Sequence, residues 1–361
     1  MRIGPVIGAG LAAALAIGLA LPTYAAPQGV PRATLPVAAS SRAEQALADV
    51  QALFHGGHPG NARAAARPNR DATLALRDLV RLRSQLRGTA ARQAARLLAR
   101  PSASATDCST AICVHWNPAS VGPGYIDQVK TTVNEVRQQY LDAGYRATRP
   151  DGGRAGNNKT DIYIRNIGAQ GIYGYCTTEK RFSASGPFDS WAYCVLDNDY
   201  VEFPGRTALE NLRVTAAHEY FHAVQFAYDA LEDSWFMEAT ATWAEDEIYP
   251  DINDNLQYLV RGPIRRPRVP LDTFEVGGTH QYGDWIFFRY LTEQIPAGLV
   301  MPDLIRQMWE RADGSVGGPD MYSLQAVRAA LAANGESFAR RFARFADANR
   351  RPAGELSLIH I

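Results

Sequence analysis

The run Val214-Thr215-Ala216-Ala217-His218-Glu219-Tyr220-Phe221-His222 constrains this chain more than any other stretch. It lies in a helix predicted over 208–229, with Thr207 and Glu210 placed to open it as a capping box. On a helix, residues four apart share a face, so His218 and His222 present two imidazoles to one ion. Glu219, one residue round the turn, reaches a water on that ion. A catalytic zinc takes three protein ligands and keeps one position open, so a third ligand is expected. Glu238 is the candidate. The first helix ends near Tyr228-Asp229, Leu231-Glu232-Asp233 makes a short connection, and Asp233 or Ser234 caps a second helix over 234–249. So short a link makes the two helices antiparallel and returns Glu238 to the neighbourhood of His222. Its neighbours Trp235, Phe236, Met237 and Ala239 are apolar, and an unpaired carboxylate among them would be costly. Glu245 and Asp246, two turns on, are rival ligands or acceptors that fix an imidazole N–H.

The rest of the chain sets the context for that motif. Met1-Arg2, an apolar run over 6–21 broken by Gly8, Gly10 and Gly18, and small residues up to Ala25 form a secretory signal pattern, with cleavage expected after Ala25. No later stretch is long and apolar enough to span a bilayer, so no stable membrane insertion is expected after cleavage. Thirty-seven basic residues balance thirty-seven acidic ones, so no net field draws the chain to nucleic acid or anionic lipid. Four cysteines in an oxidising compartment allow three pairings. Cys108–Cys113, across a short turn, and Cys176–Cys194, linking two strand-like segments, are the expected pairs. With no CxxC pair among them, the cysteines are not expected to hold zinc.

Residues 26–100 read as a Pro/Ala/Ser linker followed by a helix over 42–54 and one over 72–100. Ten arginines and two aspartates lie between Asn61 and Arg100, consistent with a solvated basic face or with a pro-region or docking segment. His55 and His58 sit in a glycine-rich loop and are expected to be exposed. At Pro101 the composition turns aromatic and β-branched, which places a boundary there and a sheet-containing part over 101–206. A helix is predicted over 125–140 and strands over 161–164, 173–176 and 191–196. The part carrying the metal motif, 207–355, is helical, with further helices over 283–294, 302–312, 322–333 and 336–349. Sheet first and helices afterwards is an α+β order.

The stretch from Thr215 to Asp254, with the segment from Asp151-Gly152-Gly153 to Tyr175 and with Tyr282-Gly283-Asp284-Trp285, resembles a family of exported bacterial metalloproteases of the gluzincin type. The resemblance covers roughly 71–352. It implies a zincin-like fold, a Zn2+ ion on His218, His222 and Glu238, and Glu219 as general base. The gap from His222 to Glu238 is shorter than in thermolysin-like enzymes. It also implies a sheet edge ahead of the motif helix, where an extended protein or peptide substrate adds as a further strand; 191–196 is the expected edge. An oxyanion needs a second donor, and His280 or Tyr282, on glycine-rich backbone between the metal helices and the next helix, is expected to supply it. Two other readings stay open: a catalytically silent zinc-bearing binding or adhesion protein, and a cell-wall amidase on the same metal. Residues 356–361, Leu-Ser-Leu-Ile-His-Ile, turn abruptly apolar without a cap or turn, and they match one reading frame of a sequencing adapter. They are expected to be foreign, with a native C-terminal part following and His360 outside the metal site.

Overall fold

The fold was obtained as a computed structural model, which describes residues 39–55 and 72–350. The expected signal segment, His58 and the 356–361 tail lie outside these residues, as does the side chain of His55. Along the chain the helices are α1 (Ala39–His55), α2 (Thr73–Leu82) and α3 (Gly88–Leu97). There follow β1 (Ala105–Cys108), β2 (Ile112–Trp116), α4 (Tyr125–Asp142), β3 (Thr160–Arg165), β4 (Gly174–Thr177) and β5 (Tyr193–Asp197). Then come α5 (Ala208–Tyr228), α6 (Ser234–Ile248), α7 (His280–Gly283), α8 (Trp285–Gln294), α9 (Asp303–Arg311), α10 (Leu324–Ala333) and α11 (Phe338–Ala348). The α+β class expected from the sequence is what the chain adopts.

The sheet is mixed, in the order β1-β2-β3-β5-β4. The β1–β2 and β4–β5 pairs are antiparallel, whereas β2–β3 and β3–β5 are parallel. This order corrects one expectation. The segment 191–196 is not the edge, because β5 sits between β3 and β4, and the edge on that side is β4. The hydrophobic pattern could not separate the two, since every residue of both strands is buried. Both disulfides form as expected and each joins directly opposed strand residues, Cys108 to Cys113 and Cys176 to Cys194.

Side chains alternate across the sheet, and each face has its own cover. Ile162, Ile164, Cys176, Cys194 and Leu196 enter the main core with residues of α4, α5 and α6. Tyr163, Tyr175, Tyr193 and Val195 point the other way, into a second core built with Leu47 and Val50 of α1 and Leu76, Leu79 and Val80 of α2. The sheet is thus a middle layer between two helical layers.

The single helix expected over 72–100 is two. Arg83–Gln85 tightens to a 3-10 turn, Leu86 is extended, and Gly88 takes a φ of +56°, a value glycine reaches at little cost. Several arginines of this region are anchors rather than a solvated face. Arg77 is 6 % exposed, and Arg83 donates to the Glu179 carbonyl at 2.6 Å. Arg100 pairs with Asp151 at 2.7 Å and also with Asp161 and Glu179, tying the end of this region to the sheet. The helix expected from residue 283 starts at Trp285 and is preceded by the short α7. There Gly283 meets Gly262 so closely that a Cβ on Gly262 would lie 2.4 Å from the Gly283 carbonyl oxygen. Among the described residues, no helix is long and apolar enough to cross a membrane.

Candidate metal centre

The capping box of α5 forms as the sequence predicts. Thr207 accepts from the Glu210 backbone N–H, and the Glu210 side chain accepts from that of Thr207. From Val214 to Tyr228 every residue of α5 is buried, because β4 and β5 pack on one side and α4 and α6 on others. A helix buried all round cannot announce its orientation by an apolar stripe. Close packing against β4 requires a glycine: a Cβ on Gly174 would stand 2.8 Å from Glu219 Cγ and 2.8 Å from Thr215 Cγ2.

The link from Asp229 to Asp233 returns the chain into α6 and brings Glu238 to the two histidines, as expected. Asp233 is the N-cap residue but makes no side-chain cap bond. His218 Nε2 lies 3.1 Å from Glu238 Oε2 and 3.1 Å from His222 Nε2, and His222 Nε2 lies 3.7 Å from the same Glu238 oxygen. A tetrahedral ion with Zn–N and Zn–O bonds of about 2.0–2.1 Å separates its ligand atoms by roughly 3.3 Å, so the observed spacings suit one.

The outer nitrogens fix which atoms face inward. His218 Nδ1 lies 2.7 Å from Glu245 Oε1, and an ionised carboxylate only accepts, so Nδ1 carries a proton. His222 Nδ1 lies 2.7 Å from Gln225 Oε1. The Gln225 amide nitrogen donates to the Met237 carbonyl at 2.9 Å and to Thr240 Oγ1 at 3.1 Å, which assigns Oε1 as the acceptor for His222. Both rings, when neutral, therefore turn an Nε2 lone pair toward the Glu238 carboxylate. Three acceptors pointing at one another in a dry interior need one positive charge among them. Without an ion the charge is a proton. Burial opposes a charged His218, yet the bonds to Glu238 and Glu245 outweigh it and raise its pKa from 6.5 to about 9. Burial likewise opposes ionised Glu238, and the bonds to His218 and His222 outweigh it and hold the carboxyl well below its ordinary range. The donor set, two imidazoles and a carboxylate, suits zinc.

Glu245 is thus the acceptor behind His218, and Asp246 is turned away to pair with Arg289 at 3.3 Å. The ring of Tyr282 lies 6.0 Å from that of His218 and stacks on Tyr258 at 5.1 Å. His280 is held elsewhere: Nδ1 lies 2.8 Å from the Arg261 carbonyl and Nε2 lies 3.3 Å from the Pro270 carbonyl. The structure therefore brings Tyr282 beside the histidines but gives His280 to the loop that packs over α7. Two further participants had no place in the sequence reading. Gln225 could have been found, since it is three residues from His222 on the same helix face. Thr73 could not. Its hydroxyl donates to Glu219 Oε2 at 3.2 Å and accepts from the Cys176 backbone N–H at 2.8 Å. His218, Glu219, His222 and Glu238 are each at most 2 % exposed.

No protein-family model matches the chain, and no curated protein matches it.

Proposed function

We propose that this chain is an exported, zincin-like, zinc-dependent metallopeptidase in which His218, His222 and Glu238 hold the ion and Glu219 is the general base. One observation carries the reading: three buried acceptors, two of them fixed from behind by Glu245 and Gln225, converge at ligand spacing on a helix pair that also presents a glutamate directly after the first histidine. A bound zinc ion supplies Lewis acidity, lowering the pKa of water toward about 7 and polarising a peptide carbonyl. Glu219 takes the proton from the attacking water and returns it to the leaving amine nitrogen. Tyr282, beside His218, is the candidate second donor to the developing oxyanion. β4 is the edge strand beside α5, and its main-chain groups, of which the Cys176 N–H is held by Thr73, are where an extended substrate would add. The two disulfides accord with an oxidising compartment outside the cytosol.

Burial of the four groups, with Thr73 on the base, also favours a second reading, a zinc-bearing protein without catalysis. Metal analysis coupled to digestion of an unfolded protein such as casein separates the two. The peptidase reading expects zinc at near-unit stoichiometry and hydrolysis that Glu219→Gln lowers by at least about 10²-fold with the metal retained, since a base is lost and no ligand is. Zinc loss in Glu219→Gln, or zinc without hydrolysis of either casein or peptidoglycan peptides under any activating treatment, would refute it.

A further inference from the structure

Helix α2 comes from far upstream in the chain, yet its first residue reaches the machinery assembled by β4, α5 and α6. Thr73 is fully buried and one oxygen serves two groups: it donates to the Glu219 carboxylate and accepts from the backbone N–H of Cys176 on the edge strand. Those are the groups that hydrolysis needs free, the base and a main-chain donor of the strand on which a substrate would lie. Four residues on, Arg77 fastens the same helix to the start of α6. Its guanidinium donates to the Glu232 carbonyl at 2.8 Å and to Ser234 Oγ at 2.8 Å, one helical turn before the ligand Glu238. Leu76, Leu79 and Val80 fill the second core on the same helix, so α2 is seated by packing as well as by these bonds.

We infer that α2 is a built-in latch that keeps the site latent, with Thr73 occupying the place of the substrate and Arg77 pinning the helix to α6. This rests on the metallopeptidase reading above and adds its regulation: peptide hydrolysis requires α2 to leave β4. Small chelators and extended peptides meet the same obstacle, so release of metal reports the latch without relying on catalysis. The population of open molecules sets both rates.

The test uses the full zinc-loaded chain and measures two things, the rate at which dipicolinate extracts zinc and the rate of casein hydrolysis. Thr73→Val keeps the shape and removes the hydroxyl; Arg77→Ala removes the pin; Thr73→Ser keeps the hydroxyl and serves as the conservative control. Loss of one hydrogen bond to a charged group corresponds to about a tenfold larger open population, so Thr73→Val and Arg77→Ala are expected to raise both rates about tenfold or more, with Thr73→Ser near wild type. Faster zinc extraction without hydrolysis would support the latch and count against the peptidase. A chain that takes up no zinc would overturn both. Equal extraction and hydrolysis rates in wild type, Thr73→Val and Arg77→Ala, all folded by near-ultraviolet circular dichroism, would overturn the latch alone. Should the two variants fail to fold, the wild-type chain decides in urea below its unfolding transition. Zinc extraction that accelerates together with amide exchange of Thr73–Leu82 supports the latch, and extraction that stays constant overturns it.

Discussion

At the scale of single residues, the site depends on groups that hold the proposed metal ligands from behind. Gln225 orients His222 while its amide nitrogen is tied to Met237 and Thr240, and Thr240 in turn accepts from Trp309 Nε1 at 3.3 Å. Removing such a partner leaves the ligand in place but frees its ring and its tautomer. Gln225→Ala and Glu245→Ala are therefore each expected to weaken zinc binding by about 10- to 100-fold without abolishing it, as read by competition with a zinc-sensitive dye. His218→Ala, His222→Ala and Glu238→Ala should instead lose stoichiometric zinc. Tight zinc in Glu238→Ala would move the third ligand elsewhere. The clustering of His218, His222 and Glu238 was readable because the four-residue spacing of the histidines and a short helix link fix relative positions within about two turns of each helix. Thr73 was not, because nothing local relates it to Glu219, 146 residues away.

Among the elements, the turn between α5 and α6 carries a titration. Burial raises Glu232 from 4.5 to about 8 and Asp229 from 3.8 to about 7. Glu232 Oε1 accepts backbone N–H bonds from Asp233 and from Ser323 at 2.9 Å, joining this turn to the start of α10. A folded-state pKa above the unfolded value means that the folded protein holds the proton more tightly. The stabilisation from Glu232 is fully present below pH 4.5 and is lost as pH rises through about 8. The urea midpoint should fall across that interval, and Glu232→Gln, which cannot ionise but can still accept both bonds, should flatten the fall. An unchanged slope would show that other groups dominate. The sheet edge gives a second prediction. Gly174→Ala forces a methyl against Glu219 and Thr215, so a loss of about 1–3 kcal/mol and reduced hydrolysis are expected from denaturant titration and assay. The sequence marked both strands near here but not their order, since two fully buried runs carry no sign of which one has a neighbour on each side. It also merged α2 with α3. Their apolar residues keep helical spacing, and the single left-handed glycine that separates them has no signature within the run.

For the whole molecule, the proposed metal site lies beside the larger of the two cores on opposite faces of the sheet, so a bound ion would add to stability. The proposed ligands lie on α5 and α6, whose apolar residues belong to the larger core, where Phe236 stacks on Trp309 at 4.8 Å and Trp235 on Phe288 at 5.7 Å. An ion that binds the folded chain alone stabilises it by about 4 kcal/mol at a thousandfold excess over Kd, which raises Tm by several degrees. Chelation should reverse the gain, and Glu238→Ala should show none of it in differential scanning calorimetry. The α+β class was readable because strand and helix patterns occupy separate parts of the chain. That the 72–100 region forms the second face of the sheet was not, since its arginines suggested solvent and only the fold shows Arg77 and Arg100 turned onto carboxylates, hydroxyls and carbonyls.

The position of Thr73 along the chain has a bearing on how the protein is made. Synthesis runs from the N-terminus, so Thr73 exists before His218, His222 and Glu238 are added in turn. The contacts that complete the site span 146 to 157 residues, and such long-range closures form late in folding. At no stage of growth does a nascent chain hold His218, His222 and Glu238 without also holding α2. Under the proposed latch, the site is therefore never complete before the helix that closes it has been made.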